Sequence, residues 1–478
     1  MTALQKLFQY AFGAALAAIL LLMCAHSGVM AALAAVVLMV FLSRWETPHF
    51  AVWLFCASFA SRAIMAACVA APVTSDFALM LASAREWAQG STAFASQAYY
   101  QLWPYQLPFT WVEMLFVRIC DSEGFLQLVN CVVMAGSNAL VYLTARETAT
   151  PRAARMAALL YLIYPSALCL APVLTNQHFG AFFLLAAMWV FLARRLEPWG
   201  IWRYALAGVL AALGNLMRPE AVILLTTLGA YTLFMAVREK NVKALGKWAA
   251  RFLVLLLGFA CVMAGANAAV RTAGLHADGL RNQNPLWKFV LGLNAETGGQ
   301  YSVQDAADML RVYMQDGAGE ALDTYEKRVI AERLGMPAGE WRHLLREKIK
   351  TMWVKSALSW GIGHFREGGT LRLLWGGEVD GAAVYAWMEE ADFSVRAVLT
   401  LLAFWGTFMG ARRKRTEMEH AVRTYAAPFV VFASFCAFLL VEVQGRYAYM
   451  PHLFMAVCAA AGVDMLAKKS CRREEKTE

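Results

Sequence analysis

Residues 51–72 read AVWLFCASFASRAIMAACVAAP, and the chain then turns polar at Thr74, Ser75 and Asp76 before Phe77. An apolar run of about 18 or more residues is long enough to cross the hydrocarbon of a bilayer as a helix, and in lipid the helix satisfies its own backbone. The run therefore reads as a membrane helix, and Asp76 as a carboxylate standing where that helix reaches water. A group so placed can act on a substrate that a lipid carries.

Outward from this stretch the same pattern recurs. Apolar segments lie at 8–25, 28–42, 105–119, 125–144, 156–173, 178–193, 201–217, 219–236, 250–270, 395–411, 424–441 and 447–466. Several are short for a span, so the segments predict about eleven to thirteen membrane helices. Composition agrees: 60% of the 478 residues are hydrophobic and 16% are charged, against about 25% charged in soluble domains. The fold class expected is all-α, a polytopic transmembrane helix bundle with interfacial helices in its first outer loop and a helical extracytoplasmic cap.

The formal charge of +9 does not point to nucleic acid, because the cations gather at helix ends and form no soluble patch. Arg194 and Arg195, Arg238 to Lys247, Arg412 to Arg415 and Lys468 to Arg473 mark cytoplasmic faces by the positive-inside rule. The expected location is the cell membrane, with Asp76 and the long stretch after residue 271 on the extracytoplasmic side. The ten cysteines lie in or beside apolar segments without paired spacing, and read as small core residues. The apolar N-terminus after Lys6 resembles a signal peptide, but a second apolar stretch follows at once, and an uncleaved hairpin is the expectation.

Four regions result: a transmembrane hairpin at 1–49, a membrane module at 50–270 with its first outer loop at 73–108, an extracytoplasmic helical domain at 271–392, and C-terminal membrane helices with a basic cytoplasmic tail at 393–478. In the first loop, 76–90 has the apolar spacing of an amphipathic helix lying along the interface. The outer domain predicts helices at 303–314, 319–334 and 338–360, separated at Gly317, Gly319, Gly335 and Pro337. Crossing parity is awkward. Seven apolar segments between 105 and 270 join two loops on one face, which needs an even number, so one segment is re-entrant or fused. The short, proline-containing 105–119 and 156–173 are the suspects, and the basic loop Arg146 to Arg155 puts the irregularity before it.

Several constellations are candidates for chemistry, each with a plainer reading beside it. Asp76 is a general base for an attacking hydroxyl, or a carboxylate that caps a helix N-terminus; Arg85 and Glu86 follow it on the same helix. Trp103, Pro104, Tyr105 and Gln106 are a sugar platform, or part of an interfacial aromatic belt. Arg218, before Pro219 and Glu220, interrupts an apolar pattern; it faces a polar cavity or sits in a loop held by Glu220. Arg446, in Glu442-Val443-Gln444-Gly445-Arg446-Tyr447, is a cation on the outer side, against the usual bias, which suits a phosphate partner; neutralisation by Glu442 is the alternative. In Gly292 to Asp305, paired glycines allow close approach of a ligand, and Asp305 stands where a helix starts. The eight histidines form no helical pair of metal ligands, and His178 reads as structural.

Taken in order, these pieces resemble the polytopic glycosyltransferases of the GT-C superfamily, in particular the bacterial family 39 and aminoarabinose-transferase-like members related to the protein O-mannosyltransferases. The resemblance rests on Asp76 after an early membrane helix, Trp103 to Gln106 opening the next, Arg218 with Pro219, Gly292 to Asp305, and Gln444 to Tyr447. It implies inverting transfer of a sugar from a polyprenyl-phosphate donor to an extracytoplasmic lipid, glycan or protein acceptor. Asp76 carries over as the family's catalytic acid. Trp103, Tyr105, Gln106, Arg218, Lys288, Asn294, Asp305, Arg446 and Tyr447 are then expected to bind substrate, with Arg281 as a further cation for the phosphate. No cofactor is certain from the residues, and a divalent metal stays open. The chain departs from the pattern in its extra hairpin at 8–42 and in Ser75, where the protein mannosyltransferases carry a second acid. A transporter or flippase for a lipid-linked or amphipathic anion is the competing class, since it too places arginines in a membrane cavity.

Overall fold

The computed structural model describes residues 12, 37, 40–69, 71–239, 242–372, 377–410 and 423–474. The hairpin expected over 8–42 falls almost wholly outside the described residues, as does the basic stretch at 412–415. In chain order the bundle begins with α1 (Phe50–Cys68), α2 (Ser75–Ala88), α3 (Leu107–Ile119), α4 (Glu123–Arg146), α5 (Pro151–Leu162) and α6 (Pro165–Cys169). Then come α7 (Gln177–Leu192), α8 (Trp202–Met217), α9 (Ala221–Glu239) and α10 (Val242–Thr272). The cap holds α11 (Trp287–Gly292), α12 (Val303–Asp316), α13 (Glu320–Leu334), α14 (Ala338–Ile349) and α15 (Ser359–Arg366). The chain ends with α16 (Gly381–Gly410), α17 (Ala426–Leu440) and α18 (Tyr449–Glu474). The only strands among the described residues are β1 (Thr370–Arg372) and β2 (Glu378–Asp380), paired antiparallel between α15 and α16.

Among the described residues six helical stretches are long and apolar enough to cross a bilayer: Phe50–Cys68, Glu123–Arg146, Ala221–Glu239, Leu245–Thr272, Gly381–Phe408 and Gly445–Ala467. Apolar side chains such as Val52, Val222 and Leu253 stay exposed on the outside of the bundle, where lipid tails solvate them at no cost. The protein is an integral membrane protein, and its described residues are mainly helix.

The crossing parity is resolved by α3. Gln106, at its start, bonds Asn176, and Asp121, just past its end, pairs with Arg85 of the loop helix α2 at 2.8 Å. Both ends therefore lie on one face, and α3 does not cross. Gln127 at the start of α4 donates to the Pro172 carbonyl at 2.9 Å, which puts residue 172 on that face too. At the opposite end Glu147 accepts from the Arg194 amide at 3.1 Å. From α4 to α10 the described chain makes six passes: α4, the pair α5 and α6, then α7, α8, α9 and α10.

The second of these passes is broken for a local reason. Proline removes a backbone donor and clashes with the preceding turn, so α5 stops before Pro165 and α6 starts on it. The freed Ser166 amide is taken by the Asp392 carboxylate at 2.8 Å, deep in the bundle. Asp392 pairs with Arg396 one turn further along α16 at 2.7 Å, and both are buried. A buried carboxylate is tolerable only with such partners.

The cap follows its predicted breaks. Ser302 caps α12 by accepting from the Asp305 amide at 3.1 Å, and Gly317, at φ 75°, ends the helix in a conformation that side chains resist. The helix expected over 338–360 ends sooner. A π-turn at Lys350–Val354 gives way to extended Lys355, whose carbonyl is held by Arg396. The expected boundary at 392 runs through α16, whose first turns already lie beside the cap hairpin.

Candidate functional site

Asp76 sits in the first turn of α2 and is exposed. The residue before it, Ser75, has φ 57°, the only left-handed non-glycine conformation among the described residues. That conformation costs a side-chain-bearing residue roughly 1–2 kcal/mol, so surrounding structure enforces the turn that presents Asp76. Its carboxylate accepts one long hydrogen bond, from Ser75 Oγ at 3.5 Å. Capping of a backbone amide, the plainer reading, has no bond to support it. Arg85 and Glu86 point elsewhere: Arg85 pairs with Asp121, and Glu86 accepts from Ser91 and the Phe94 amide to shape the loop.

Above the bundle three cations surround one ring. Around the Tyr447 centroid the Arg218 guanidinium lies at 4.6 Å, Arg446 at 5.5 Å and the Lys288 ammonium at 5.7 Å. Their charges are managed differently. Arg218 is bonded to Glu220 at 2.5 Å, and Lys288 is bonded to Glu442. Burial works against ionised Glu442, but Lys288, Gln444 and Arg446 outweigh it and hold the carboxyl below its usual range. Loss of water likewise opposes charge on Lys288, and Tyr447 with Glu442 reverse this and hold its ammonium above the ordinary value.

Arg446 is the exception. Glu442 reaches it only through Gln444, which donates to Glu442 at 2.7 Å and accepts from Arg446 Nε at 2.8 Å. Its guanidinium lies 4.2 Å from the centre of the Trp360 ring and 4.7 Å from that of Phe77, the neighbour of Asp76. Nη1 is buried with no hydrogen-bond partner. A guanidinium fixed at one edge, with donors unused at another, is built to receive an oxyanion.

The first loop completes the ring of groups. Tyr105 stands close enough to Lys288, Tyr447, Arg218 and Asp76 to interact with all four, and burial, with Lys288 opposing, lifts its phenol to about 12. Tyr99 Oη is buried without a partner; burial, then the Asp76 carboxylate, push its phenol well above the ordinary range. Exposed Tyr301 of the cap faces the same carboxylate. Asp76 also acts electrostatically on Arg446. Carboxylate, phenols and cations thus share one site at the junction of the first loop, the cap and residues 442–447.

Other expected binding residues are placed differently. Asn294 donates to Asp305 at 2.9 Å and accepts from the amides of Glu296 and Thr297. Asp305 is paired with Arg333 at 2.7 Å. Both are buried inside the cap with their polar atoms engaged. The nearby glycines approach protein: a Cβ on Gly292 would meet the Leu440 carbonyl at 2.4 Å. Val443 donates to Gly299 at 2.9 Å and Glu442 to Lys288 at 2.8 Å through backbone amides, so the glycine loop clamps 442–443. Beneath it Lys348 bonds the Gly292 carbonyl at 2.6 Å, and burial, against Glu442, lowers its ammonium to about 7. Trp103 packs its ring edge-on to Tyr99 at 5.5 Å and joins the apolar contact with the cap. Exposed Arg281 is seen bonded only through its carbonyl, to Gln283. His178 is structural, bonding the Leu170 carbonyl at 3.1 Å.

Sequence reading missed Trp360, which no local pattern marks, and the amides Asn176 and Gln177. These two stand in Thr175-Asn176-Gln177-His178, a polar run between apolar segments, which was a visible signal. Among the described residues no three His, Cys, Asp or Glu side chains converge in the manner of a metal centre.

Residues 107–264 match the family model for dolichyl-phosphate-mannose-protein mannosyltransferase. Over this third of the chain the protein is similar to a membrane glycosyltransferase family. Asn176, Gln177 and Arg218 lie inside the matched segment, and Asp76, Lys288 and Arg446 lie outside it. Comparison with curated proteins gives no match. Among solved structures the chain is similar to the archaeal oligosaccharyltransferase AglB from Archaeoglobus fulgidus in complex with an inhibitory peptide and a dolichol-phosphate. Identity is 15% over 90% of this chain and 52% of that one, with a TM-score of 0.47. For the apo form of the Archaeoglobus fulgidus oligosaccharyltransferase the values are 15%, 91%, 52% and 0.48. The chain spans about half the length of these structures.

Proposed function

We propose that the glycosyltransferase moves a sugar from a polyprenyl-phosphate donor to an acceptor hydroxyl, with Asp76 as general base. The observation that carries this reading is the exposed Asp76 carboxylate, held only by a long bond from Ser75 Oγ, beside Arg446, whose buried Nη1 has no partner. A phosphate on a polyprenol is already a competent leaving group, so the site needs a base at one end and cations at the other. Asp76 takes the proton from the acceptor hydroxyl as its oxygen bonds to the anomeric carbon. The bond from that carbon to the phosphate oxygen breaks, and polyprenyl phosphate leaves with the electron pair. One displacement inverts the anomeric centre. Arg446 is the principal phosphate ligand, because Arg218 and Lys288 already carry Glu220 and Glu442. Tyr105, Tyr447 and Gln106 line the path between base and cations, and Tyr99 Oη offers the sugar a donor.

Charge supports one side of the membrane. Arg194 and Arg195 lie past the far end of α7, a helix of 16 residues, about 24 Å from the site by helical rise. Cations gather on cytoplasmic faces, which supports a site open to the extracytoplasmic side. The acceptor is a lipid, glycan or protein.

Purified protein incubated with radiolabelled polyprenyl-phosphate sugars and membrane extract tests the reading, wild type against Asp76→Asn. Label should reach an acceptor with the first protein and nearly fail with the second. Equal transfer by both removes Asp76 from the mechanism. Donor that equilibrates across liposomes with its sugar bond intact overturns the reading in favour of transport.

A further inference from the structure

The two arginines of the site have local partners that say nothing about where they stand in the fold. Arg218 bonds Glu220 and Arg446 bonds Gln444, each two residues away along the same loop. Such bonds choose a rotamer. They do not fix the distance between one loop and another.

Three long-range hydrogen bonds of these segments converge on one dipeptide. Asn176 Nδ2 donates to Gln106 Oε1 at 3.2 Å, and its Oδ1 accepts from Arg218 Nη1 at 3.4 Å. Gln177 Nε2 donates to the Arg446 carbonyl at 2.6 Å. The partners are 70, 42 and 269 residues distant along the chain. Asn176 is 1% exposed and Gln177 3%. We infer that Asn176 and Gln177 are positioning residues that hold the first loop, Arg218 and Arg446 in a single register.

The residue types suit that task. An amide presents a donor and an acceptor at adjacent corners without charge. Asn176 uses both, the donor toward Gln106 and the acceptor toward a guanidinium. An aspartate there would lose the donor and neutralise Arg218; a leucine would leave buried polar atoms unmet, at about 1–3 kcal/mol each. Gln177 grips a backbone oxygen, so it moves Arg446 through its main chain while Gln444 holds the side chain. The pair opens α7, and His178 behind it is tied to the Leu170 carbonyl. The register is thereby anchored to a helix that runs through the bundle, beside the backbone bonds by which the cap clamps 442–443.

The register itself stands on geometry alone. That it serves the anion end of a lipid-phosphate donor rests on the function proposed above. Two measurements on the purified full chain separate them. Hydrogen exchange is followed at 104–107 and at 444–448 in Asn176→Leu and Gln177→Leu, with Gln177→Glu, equal in length but lacking the donor, should Gln177→Leu fail to fold. Exchange should quicken at 104–107 in the first variant and at 444–448 in the second, and unchanged exchange at both overturns the inference. Affinity for a polyprenyl phosphate in detergent is measured against the uncharged polyprenol. The variants should bind the phosphate about tenfold more weakly and the alcohol as before. Equal loss for both ligands overturns a role at the anion end. If wild type does not discriminate phosphate from alcohol while exchange still quickens, the register stands and the donor reading falls.

Discussion

Two polar clusters lie within the same face of the molecule, and they differ in what is left over. In the cap, Asn294, Asp305 and Arg333 consume one another, with Asn294 also closing its own loop. At the junction of the first loop with 442–447, Asp76 stays exposed while Arg446 and Tyr99 keep buried donors without partners. Both clusters hold an acid and an arginine. Buried polar groups are ordinarily satisfied, so on the function proposed above the unmatched donors are where a ligand belongs, while the closed triad staples the cap.

The sharpest break of this contrast is Asp76→Asn. Loss of a general base costs about 10²–10⁴-fold in rate, and the exposed position predicts unchanged thermal unfolding. If turnover of labelled donor survives, the two clusters are not functionally distinct. Arg446→Lys comes next. An ammonium cannot bond Gln444, lie against Trp360 and still offer a second edge, so donor affinity should fall about tenfold or more in a direct binding assay. Asp305→Ala should have the opposite signature. Breaking its pair with Arg333 loosens the cap by about 3 kcal/mol, seen as a lower unfolding midpoint and faster proteolysis of 290–335, with donor affinity retained in the folded fraction.

A further effect concerns pH. Burial, with Asn284 opposing, raises the Glu326 carboxyl of α13 to about 8. The folded value exceeds the unfolded one, so its contribution is complete below about pH 4.5 and is lost as pH rises through about 8, at no more than about 1.4 kcal/mol per unit. Glu326→Gln should flatten the dependence of cap proteolysis on pH across that window. A slope equal to that of wild type would place the pH sensitivity elsewhere.

How much of this was legible beforehand varies with the kind of residue. The long spans and the cap breaks could be read directly, because apolar run length and glycine or proline placement act locally. Asp76 was legible as a carboxylate at a membrane boundary, but its freedom from capping was not, since capping and presentation share one sequence. Asn294 and Asp305 looked like binding residues for the same reason: nothing nearby announces that Arg333 occupies them. Asn176 and Gln177 were passed over because amides carry no charge to stand out in an apolar chain.

The amino-acid order alone determined that this protein is a helical membrane bundle with an acid at the end of an early span and arginines between later ones. Hydrophobic length and local turn chemistry suffice for that. Tertiary structure alone decided that α3 returns to the face it left, that Glu442 belongs to Lys288, and that Arg446 keeps a free donor. Pairing among charges far apart in the chain depends on which side chains packing brings within a few ångströms, and no local pattern encodes that distance.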